Sequence, residues 1–330
     1  MTEEILIALP QKTVLVLGRA GLDLYPDKAG QKIRESNQFI AMLGGSAGNI
    51  AAGIARRGHS VSLLTSVSND PVGEFTISQI KKFGIDGSLI QTVDGDSRTS
   101  LALSETNNRD HQTVIYRNQA ADFELMPPSV DPGQFSCLVV TGTALAKDPS
   151  RTTSLELMNQ FKRHGTLVVL DLDYRPYSWA STTEVRAIYN EAIDLSDVVV
   201  GNDVEFRSLD DTEEDLTKTA YSVSNAGKLL TILKLGASGS VALTKLLRIN
   251  CGIYQVDPLK PVGSGDAFLS SLISSWIEKK NLIDSLCDAS ASAAIVVSRV
   301  GCSEAMPAGQ EIEAFRNKAI QPQIETIRRS

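Results

Sequence analysis

A short glycine-containing segment near the C-terminus carries residues suited to phosphoryl transfer. Gly263, Ser264 and Gly265 immediately precede a strongly helical pattern, and Asp266 lies in the first turn of that helix. Glycines let successive backbone amides turn towards one point, and a helix N-terminus adds unpaired N–H groups and partial positive charge. The segment predicts an anion hole beside Asp266, which could take the proton of an attacking hydroxyl group. A glycine turn that simply begins a helix is the alternative.

A second glycine-rich segment, Leu-Gly-Gly-Ser-Ala-Gly-Asn, ends at Asn49 and also precedes a helix. Its glycines permit close backbone approach, and Asn49 offers a donor and an acceptor to a polyol. Gly44, Ser46 and Gly48 also match the nucleophile elbow of serine hydrolases. That alternative needs a later histidine, and His164 is the last one, with half of the chain following it. The segment therefore favours sugar binding over hydrolysis.

Two further segments follow predicted strands. Asn202 and Glu205 lie three residues apart, on one side of an emerging helix. They could hold a hydrated Mg²⁺, which prefers oxygen ligands and keeps its waters, or they could form a helix cap. Lys234, Gly236 and Gly239 follow another strand. This loop could line a nucleotide phosphate or ribose, or it could be a simple hairpin turn.

The elements that position these residues alternate along the chain. Short β-branched runs predict strands at Thr13–Leu17, Ser60–Val67, Cys137–Thr141, Thr166–Asp171, Asp197–Val200, Leu229–Leu235 and Ser240–Thr244. Apolar periodicity predicts helices at Ala47–Arg57, Arg151–Arg163, Asp266–Lys280 and Leu282–Arg299. Buried strands alternating with helices indicate a mainly parallel sheet covered on both faces. Two half-polar segments, 22–43 and 99–118, predict a small β-sheet lid that includes a hairpin around a polar turn at 107–110.

Composition restricts the class of protein. The 330 residues are 42% hydrophobic and 22% charged, which argues against a disordered chain. With 32 basic and 39 acidic residues, the net charge of −7 disfavours a nucleic-acid-binding protein. Four scattered cysteines and three histidines disfavour a disulfide framework or a zinc site. The acidic N-terminus is atypical of a signal peptide, and no apolar run reaches the roughly 18 residues of a membrane span, so we expect a cytoplasmic protein.

Taken together and in order, the motifs resemble those of the PfkB, or ribokinase-like, carbohydrate kinases, over roughly residues 13–307. The resemblance implies a three-layer α/β/α sandwich with a mainly parallel central sheet and a small β-sheet lid. It implies one kinase domain over residues 1–330, with ATP and Mg²⁺ as cofactors and a small sugar as substrate. Members of the family often use the lid for dimerisation, so a homodimer through the lid is expected here.

The resemblance also implies a role for individual residues. Asp266 is the expected catalytic base, and Gly263, Ser264 and Gly265 form the anion hole. The residues expected to bind sugar are Asp23, Gly44, Gly45 and Asn49. The residues expected to bind nucleotide are Asp173, Asn202, Lys234, Gly236, Gly239 and Gly265, with Asn202 and Glu205 ordering Mg²⁺ through water. On residue chemistry alone, Asp23 could also be an ordinary loop carboxylate or a helix cap.

Finer features resemble one branch of the family, which phosphorylates the 6-hydroxyl of 5-dehydro-2-deoxy-D-gluconate in myo-inositol catabolism. They are the segments 18–26, 116–122, 141–145, 171–179 and 298–307. The branch implies that Tyr116, Arg117 and Arg175 bind the substrate, the two guanidinium groups pairing with its carboxylate. On residue chemistry alone, each arginine could instead form a surface ion pair, and Arg175 could contact an ATP phosphate. Kinases of 2-keto-3-deoxygluconate or fructose are alternatives, as is a non-catalytic sugar- or nucleotide-binding protein of the same fold.

Four positions depart from the family pattern. Ser264 stands where alanine is usual, and we expect little effect because serine is small and can cap a helix. Asp173 stands where related kinases often have asparagine, and Val300 where this branch commonly has histidine. Lys260 occupies the position of a carboxylate that binds a monovalent cation in many relatives. It predicts activity that does not depend on K⁺, unless its side chain simply points to solvent.

Overall fold

The computed structural model describes residues 7–107, 111–210 and 214–329. The strands are β1 (Thr13–Leu17), β2 (Gly21–Pro26), β3 (Phe39–Gly44), β4 (Val61–Leu64), β5 (Ser66–Ser68), β6 (Gln91–Val93), β7 (Leu101–Ser104), β8 (Thr113–Tyr116), β9 (Phe135–Thr141), β10 (Leu167–Asp171), β11 (Val198–Asn202), β12 (Leu230–Lys234), β13 (Ser240–Leu243), β14 (Leu247–Cys251) and β15 (Ile324–Arg328). The helices are α1 (Ser46–Arg56), α2 (Pro71–Lys82), α3 (Ser150–His164), α4 (Thr182–Leu195), α5 (Asp203–Leu209), α6 (Leu216–Asn225), α7 (Ser264–Ile277), α8 (Leu282–Val297) and α9 (Gly309–Lys318).

The central sheet has nine strands in the order β15-β14-β13-β12-β11-β10-β9-β1-β4. The strands from β12 to β4 are parallel, and β13, β14 and β15 extend the sheet antiparallel at one side. The parallel strands are buried along most of their length, as expected for a sheet that is covered on both faces. The prediction of a mainly parallel central sheet is confirmed.

Helices cover both faces of this sheet. Alternate strand residues point to opposite layers: in β1, Val14 and Val16 pack in one core, and Leu15 and Leu17 pack in the other. Helices α1, α7 and α8 contribute to the first core, and α3, α4, α5 and α6 contribute to the second. The architecture is therefore the expected three-layer α/β/α sandwich. Among the described residues, no helix combines the length and apolar character that crossing a membrane requires.

A second, four-stranded sheet lies over one end of the sandwich, in the order β3-β2-β7-β8. Its strands fall within or next to the two predicted lid segments, and β7 and β8 form the predicted antiparallel hairpin. Residues 108–110 of the predicted polar turn lie outside the described residues. The expectation of a small β-sheet lid is confirmed.

The local predictions fail at particular places. The predicted strand Ser60–Val67 is two strands and not one, because the chain leaves the central sheet at Thr65 and β5 pairs with β6 in a separate two-stranded sheet. Helices α2, α4 and α9 were not predicted. For α2 the sequence holds a signal, because Asp70 followed by Pro71 is typical of a helix start. In the structure Asp70 caps α2 and accepts hydrogen bonds from N of Val72 and Gly73.

Candidate active site

The polar residues of the site come from the carboxyl ends of parallel strands, which meet at one edge of the sheet. Asp171 ends β10, Asn202 ends β11 and Lys234 ends β12. Helices α1 and α7 begin beside them, and Nδ2 of Asn49 in α1 donates a 2.8 Å hydrogen bond to Oδ2 of Asp266 in α7. The fold thereby joins two predicted site residues that are 217 positions apart in sequence.

Three backbone amides at the start of α7 are available to a ligand. Gly263 precedes the helix with φ of 88°, and its carbonyl accepts the first helical hydrogen bond, 3.0 Å from N of Ala267. Within the described ranges, the N–H groups of Ser264, Gly265 and Asp266 have no acceptor in the protein. They lie at the positive end of the helix dipole, so this terminus has the geometry predicted for an anion hole.

The Ser264 side chain does not cap the helix, although serine can do so. Its hydroxyl donates a 3.0 Å hydrogen bond to O of Pro261, and α7 has no side-chain cap. At Gly263, a Cβ atom would lie 2.8 Å from Sγ of Cys302. Glycine therefore allows this loop both its positive φ and its close packing against Cys302.

Lys234 lies against the start of α7. Its Nζ is 3.3 Å from Oδ1 of Asp171, and a Cβ on Gly265 would lie 3.1 Å from the same Nζ atom. Burial acts to lower the pKa of Lys234, but the carboxylates of Asp171 and Glu205 outweigh burial and raise this pKa. Lys234 therefore stays positively charged next to the free amides, where it can attract a phosphate group.

Asp266 has the properties of a general base. Burial, followed by the negative charges of Asp173 and Asp171, raises the pKa of Asp266 to about 7. A carboxylate in this range accepts a proton more readily than an ordinary one, while a large fraction is still ionised at neutral pH. The hydrogen bond from Asn49 favours the ionised form and fixes the carboxylate in the mouth of the anion hole.

Asp173 and Arg175 form an ion pair whose charges both act on Asp266. Oδ1 of Asp173 is 2.7 Å from Nη2 of Arg175, whose side chain is 42% exposed. Burial acts to raise the pKa of Asp173, but the positive charge of Arg175 holds this pKa below its usual value. Asp173 has φ of 34°, which asparagine and aspartate tolerate better than most residues. Its Oδ2 atom is buried without a partner among the described residues.

Asn202 and Glu205 form a capping box at the start of α5, which is the alternative left open by the sequence. Oδ1 of Asn202 accepts a 2.9 Å hydrogen bond from N of Glu205, and Oε2 of Glu205 accepts a 2.7 Å bond from N of Asn202. Burial, together with the charges of Asp171 and Asp173, raises the pKa of Glu205 to about 7, although Lys234 opposes this. These crowded carboxylates suit a divalent cation. The described residues contain no group of three metal-ligating side chains, so the fit is to a hydrated ion held through water.

The predicted sugar-binding residues lie on lid strands β2 and β3 and at the start of α1. Asp23 is buried in β2, and a Cβ on Gly44 would clash with its carboxylate, so glycine at 44 makes room for Asp23. Gly45 immediately precedes α1, and its carbonyl accepts a 2.8 Å hydrogen bond from N of Asn49. Oδ1 of Asp23 and Oδ1 of Asn49 are both buried without a partner among the described residues. Two unused acceptors of this kind suit the hydroxyl groups of a sugar.

The predicted nucleotide loop is a hairpin turn between β12 and β13. Gly236 and Gly239 bound a short 3₁₀ turn, and residues 236–238 are exposed. The sequence left a hairpin turn and a nucleotide-binding loop as alternatives, and the two are compatible here. The turn is open to solvent directly after Lys234, so a nucleotide could bind beside it.

The lid residues expected to bind substrate are not all free to do so. Arg117 is buried, its Nε donates a 3.0 Å hydrogen bond to Oδ2 of Asp122, and its Nη2 donates a 2.8 Å bond to O of Thr143. Its guanidinium also lies 4.2 Å above the ring of Phe123. Tyr116 is 63% exposed on β8. Substrate binding by Tyr116, Arg117 and Arg175 stays a prediction, and both arginines already have a carboxylate partner.

Lys260 does not point to solvent, so that alternative is wrong. The residue is fully buried, and its Nζ donates to O of Val262 at 2.5 Å and to O of Val296 at 3.4 Å. Sγ of Cys302 lies 4.0 Å away. The ammonium group thus sits among backbone carbonyls under the loop that leads into α7.

Two site residues were missed from the sequence. Asp171 carries the ion pair with Lys234, and Arg19 lies buried two residues after β1. Both follow apolar runs at the carboxyl ends of parallel strands, which is where ligands bind in open α/β sheets. Their position at the end of a predicted strand could have identified both residues as candidates for the site.

A buried base, free helix-terminal amides and an adjacent lysine define a phosphotransferase that acts on a hydroxyl group. A family model described as pfkB family carbohydrate kinase matches residues 11–309, and the chain belongs to that family. The expectation of an ATP-dependent carbohydrate kinase is confirmed at this level.

Individual relatives agree with the family. The chain is 38% identical over 322 residues to the 5-dehydro-2-deoxygluconokinase of Photobacterium profundum, and the match covers 94% of this chain and 97% of the relative. A double mutant of the fructokinase from Vibrio cholerae O395, solved with fructose, ADP and potassium ion bound, superposes with a TM-score of 0.81 at 25% identity. That match covers 93% of this chain and 99% of the fructokinase. These similarities confirm the ribokinase-like fold.

Proposed function

We propose that this protein transfers the γ-phosphate of ATP to the 6-hydroxyl of 5-dehydro-2-deoxy-D-gluconate, as one kinase domain in myo-inositol catabolism. The observation that carries the phosphotransfer is the Asp266 carboxylate, held by Asn49 beside three free amides. The choice of substrate is supported by the relatives of that name, from Photobacterium profundum and Clostridium tetani, which are 38% and 34% identical to the chain.

The reaction begins at the substrate hydroxyl. Asp266 accepts the proton of the 6-hydroxyl while the oxygen of that hydroxyl forms a bond to the γ-phosphorus. The bond from the γ-phosphorus to the bridging oxygen breaks at the same time, and ADP leaves. Little covalent chemistry falls to the protein, so its contribution is positioning and charge stabilisation. Asn49 fixes the base, and the unpartnered oxygens of Asp23 and Asn49 accept hydrogen bonds from other substrate hydroxyls.

The transferring phosphoryl group is stabilised by the start of α7. The amides of Ser264, Gly265 and Asp266 donate to its oxygens, and the Lys234 ammonium adds a full positive charge. Donors fixed in this way cost no reorganisation during the reaction. The 3₁₀ turn after Lys234 contacts the nucleotide.

Asn202 and Glu205 would hold Mg²⁺ through water, with Asp171 close by. When bound, Mg²⁺ neutralises phosphate charge and helps to orient the nucleotide. The raised pKa of Glu205 reflects burial and its carboxylate neighbours, so a divalent cation would relieve this repulsion.

The lid provides a surface for a second copy of the chain. Val114 and Tyr116 are two residues apart on β8, and their side chains are 47% and 63% exposed. These exposed apolar side chains suit contact with a second copy of the chain. The proposal also includes a cytoplasmic location and no binding to nucleic acid or membrane. Sedimentation of the wild type and of Val114→Lys tests the dimer, which the added charge should dissociate.

A coupled ADP-release assay over neutral sugars and sugar acids tests the activity. We expect 5-dehydro-2-deoxygluconate to give a much higher kcat/KM than fructose or ribose. A higher value for fructose or for 2-keto-3-deoxygluconate would assign the protein to another branch of the family. Substrate-dependent ADP release from none of these compounds would identify a non-catalytic binding protein.

A further inference from the structure

Arg19 is a buried cation with an incomplete set of partners. The residue is 8% exposed, and Nη1 donates a 3.0 Å hydrogen bond to Oγ of Ser100. Ser100 is the one side-chain partner of this guanidinium within the described residues, and no described carboxylate lies within 4.0 Å of it. A guanidinium has five N–H donors in a planar fork, so most of its donor capacity is unused.

Arg19 lies inside the substrate cleft. It follows β1 at the active-site edge of the sheet, and its carbonyl accepts a 3.3 Å hydrogen bond from N of Gly48 in α1. Its charge opposes the effect of burial on the pKa of Asp23, and it helps to keep the pKa of Asp173 low. The Arg19 charge therefore acts on both Asp23, a predicted sugar-binding residue, and Asp173, a predicted nucleotide-binding residue, although it forms a direct ion pair with neither.

The other arginines of the cleft are already paired. Arg117 bonds to Asp122, and Arg175 bonds to Asp173. A buried charge without a direct partner is costly, and a carboxylate that binds both arms of the fork removes that cost. Arg19 is consequently the cleft arginine with donors to spare for an anionic ligand.

We propose that Arg19 binds the carboxylate of the sugar-acid substrate and sets the preference for sugar acids over neutral sugars. The proposal rests on the proposed function, because it requires a sugar-acid substrate. In this arrangement the two ends of the substrate are recognised separately. The 6-hydroxyl faces Asp266, and the carboxylate pairs with Arg19. A neutral sugar leaves the guanidinium unpaired, which is how a polar site rejects such an analogue.

The test compares two substrates, 5-dehydro-2-deoxygluconate and the analogue in which its carboxylate is replaced by a primary alcohol. In the wild type we expect the acid to have the higher kcat/KM. Arg19→Gln should lower kcat/KM for the acid by about 10²-fold, mainly through KM, because a charge-assisted pair is lost. The ratio of the two kcat/KM values should fall at least tenfold. Arg19→Lys, which keeps the charge but not the fork, should give an intermediate ratio.

Arg175→Gln serves as the competing variant. If it removes the preference for the acid while Arg19→Gln does not, the proposal is overturned and Arg175 is the carboxylate-binding residue. Nucleotide binding and the Tm of each variant establish that the protein is folded. If Arg19→Gln does not fold, the Arg19→Lys ratio decides: an unchanged ratio overturns the proposal. A wild type that phosphorylates no sugar acid overturns the proposed function itself, and this proposal with it.

Discussion

The side-chain amide of Asn49 donates a 2.8 Å hydrogen bond to the carboxylate of Asp266, and this contact links the start of α1 to the start of α7. Its consequence is mutual orientation: the base is fixed beside the free amides, and the oxygen of the Asn49 amide is left for a ligand. The segments proposed to bind sugar and phosphate are therefore held together by this hydrogen bond.

Removing the base should abolish most of the turnover while nucleotide binding is retained. In Asp266→Asn the side chain keeps its shape and can still accept the hydrogen bond from Asn49. It cannot take a proton, so turnover should fall about 10²–10⁴-fold, the usual contribution of a general base. ADP release measures the turnover, and a nucleotide titration serves as the control. Near-wild-type turnover would disprove the assignment of Asp266.

The activity should depend on pH through the same group. The pKa of Asp266 is raised to about 7 by burial and by Asp173 and Asp171, and the base works only when it is deprotonated. We therefore expect kcat/KM to rise with pH and to level off above about 7, since kcat/KM reports the free enzyme. A pH series of initial rates measures this limb. A flat profile between about pH 5 and 8 would be inconsistent with it.

The same shift predicts a cost in stability. At pH values between 3.8, the ordinary pKa of aspartate, and about 7, the folded state keeps a proton on Asp266 that the unfolded state has lost. Stability contributed by this group therefore falls as pH rises through that interval, and the full cost is present at about pH 8. Asp266→Asn should raise the Tm by roughly 2–5 °C at about pH 8, and by less at about pH 5.5. A variant with the wild-type Tm at both pH values would rule out this cost.

Much of this site follows from local sequence, because a glycine loop before a helix needs no distant partner to form an anion hole. The Gly263–Asp266 segment and the Asn49 segment were predicted for this reason. The hydrogen-bond acceptors of Arg117 and Ser264 were not predicted, because they depend on which residues the folded chain brings near. Asp122 and Thr143 occupy the Arg117 guanidinium, and Pro261 occupies the Ser264 hydroxyl. Contacts between residues that are distant in the chain produce no periodic pattern in the sequence.

Lys260 gives a prediction about monovalent cations. Its buried ammonium group donates to the carbonyls of Val262 and Val296, next to the loop that begins α7. A positive charge fixed there repels K⁺ and uses the carbonyls that a cation would need. Activity should therefore be the same within about twofold when Na⁺ replaces K⁺ at constant ionic strength, because screening is unchanged. Several-fold activation by K⁺ would reject this role for Lys260.

The central claim is that the γ-phosphate of ATP passes to the 6-hydroxyl of 5-dehydro-2-deoxygluconate. The most direct measurement is phosphorus NMR of the product formed from ATP, Mg²⁺ and this acid, with Asp266→Asn as the matched control. The account predicts a new phosphate ester whose phosphorus couples to the two C6 protons, formed by the wild type and nearly absent with the variant. A phosphate on another oxygen, equal product from the variant, or no ester at all would contradict it.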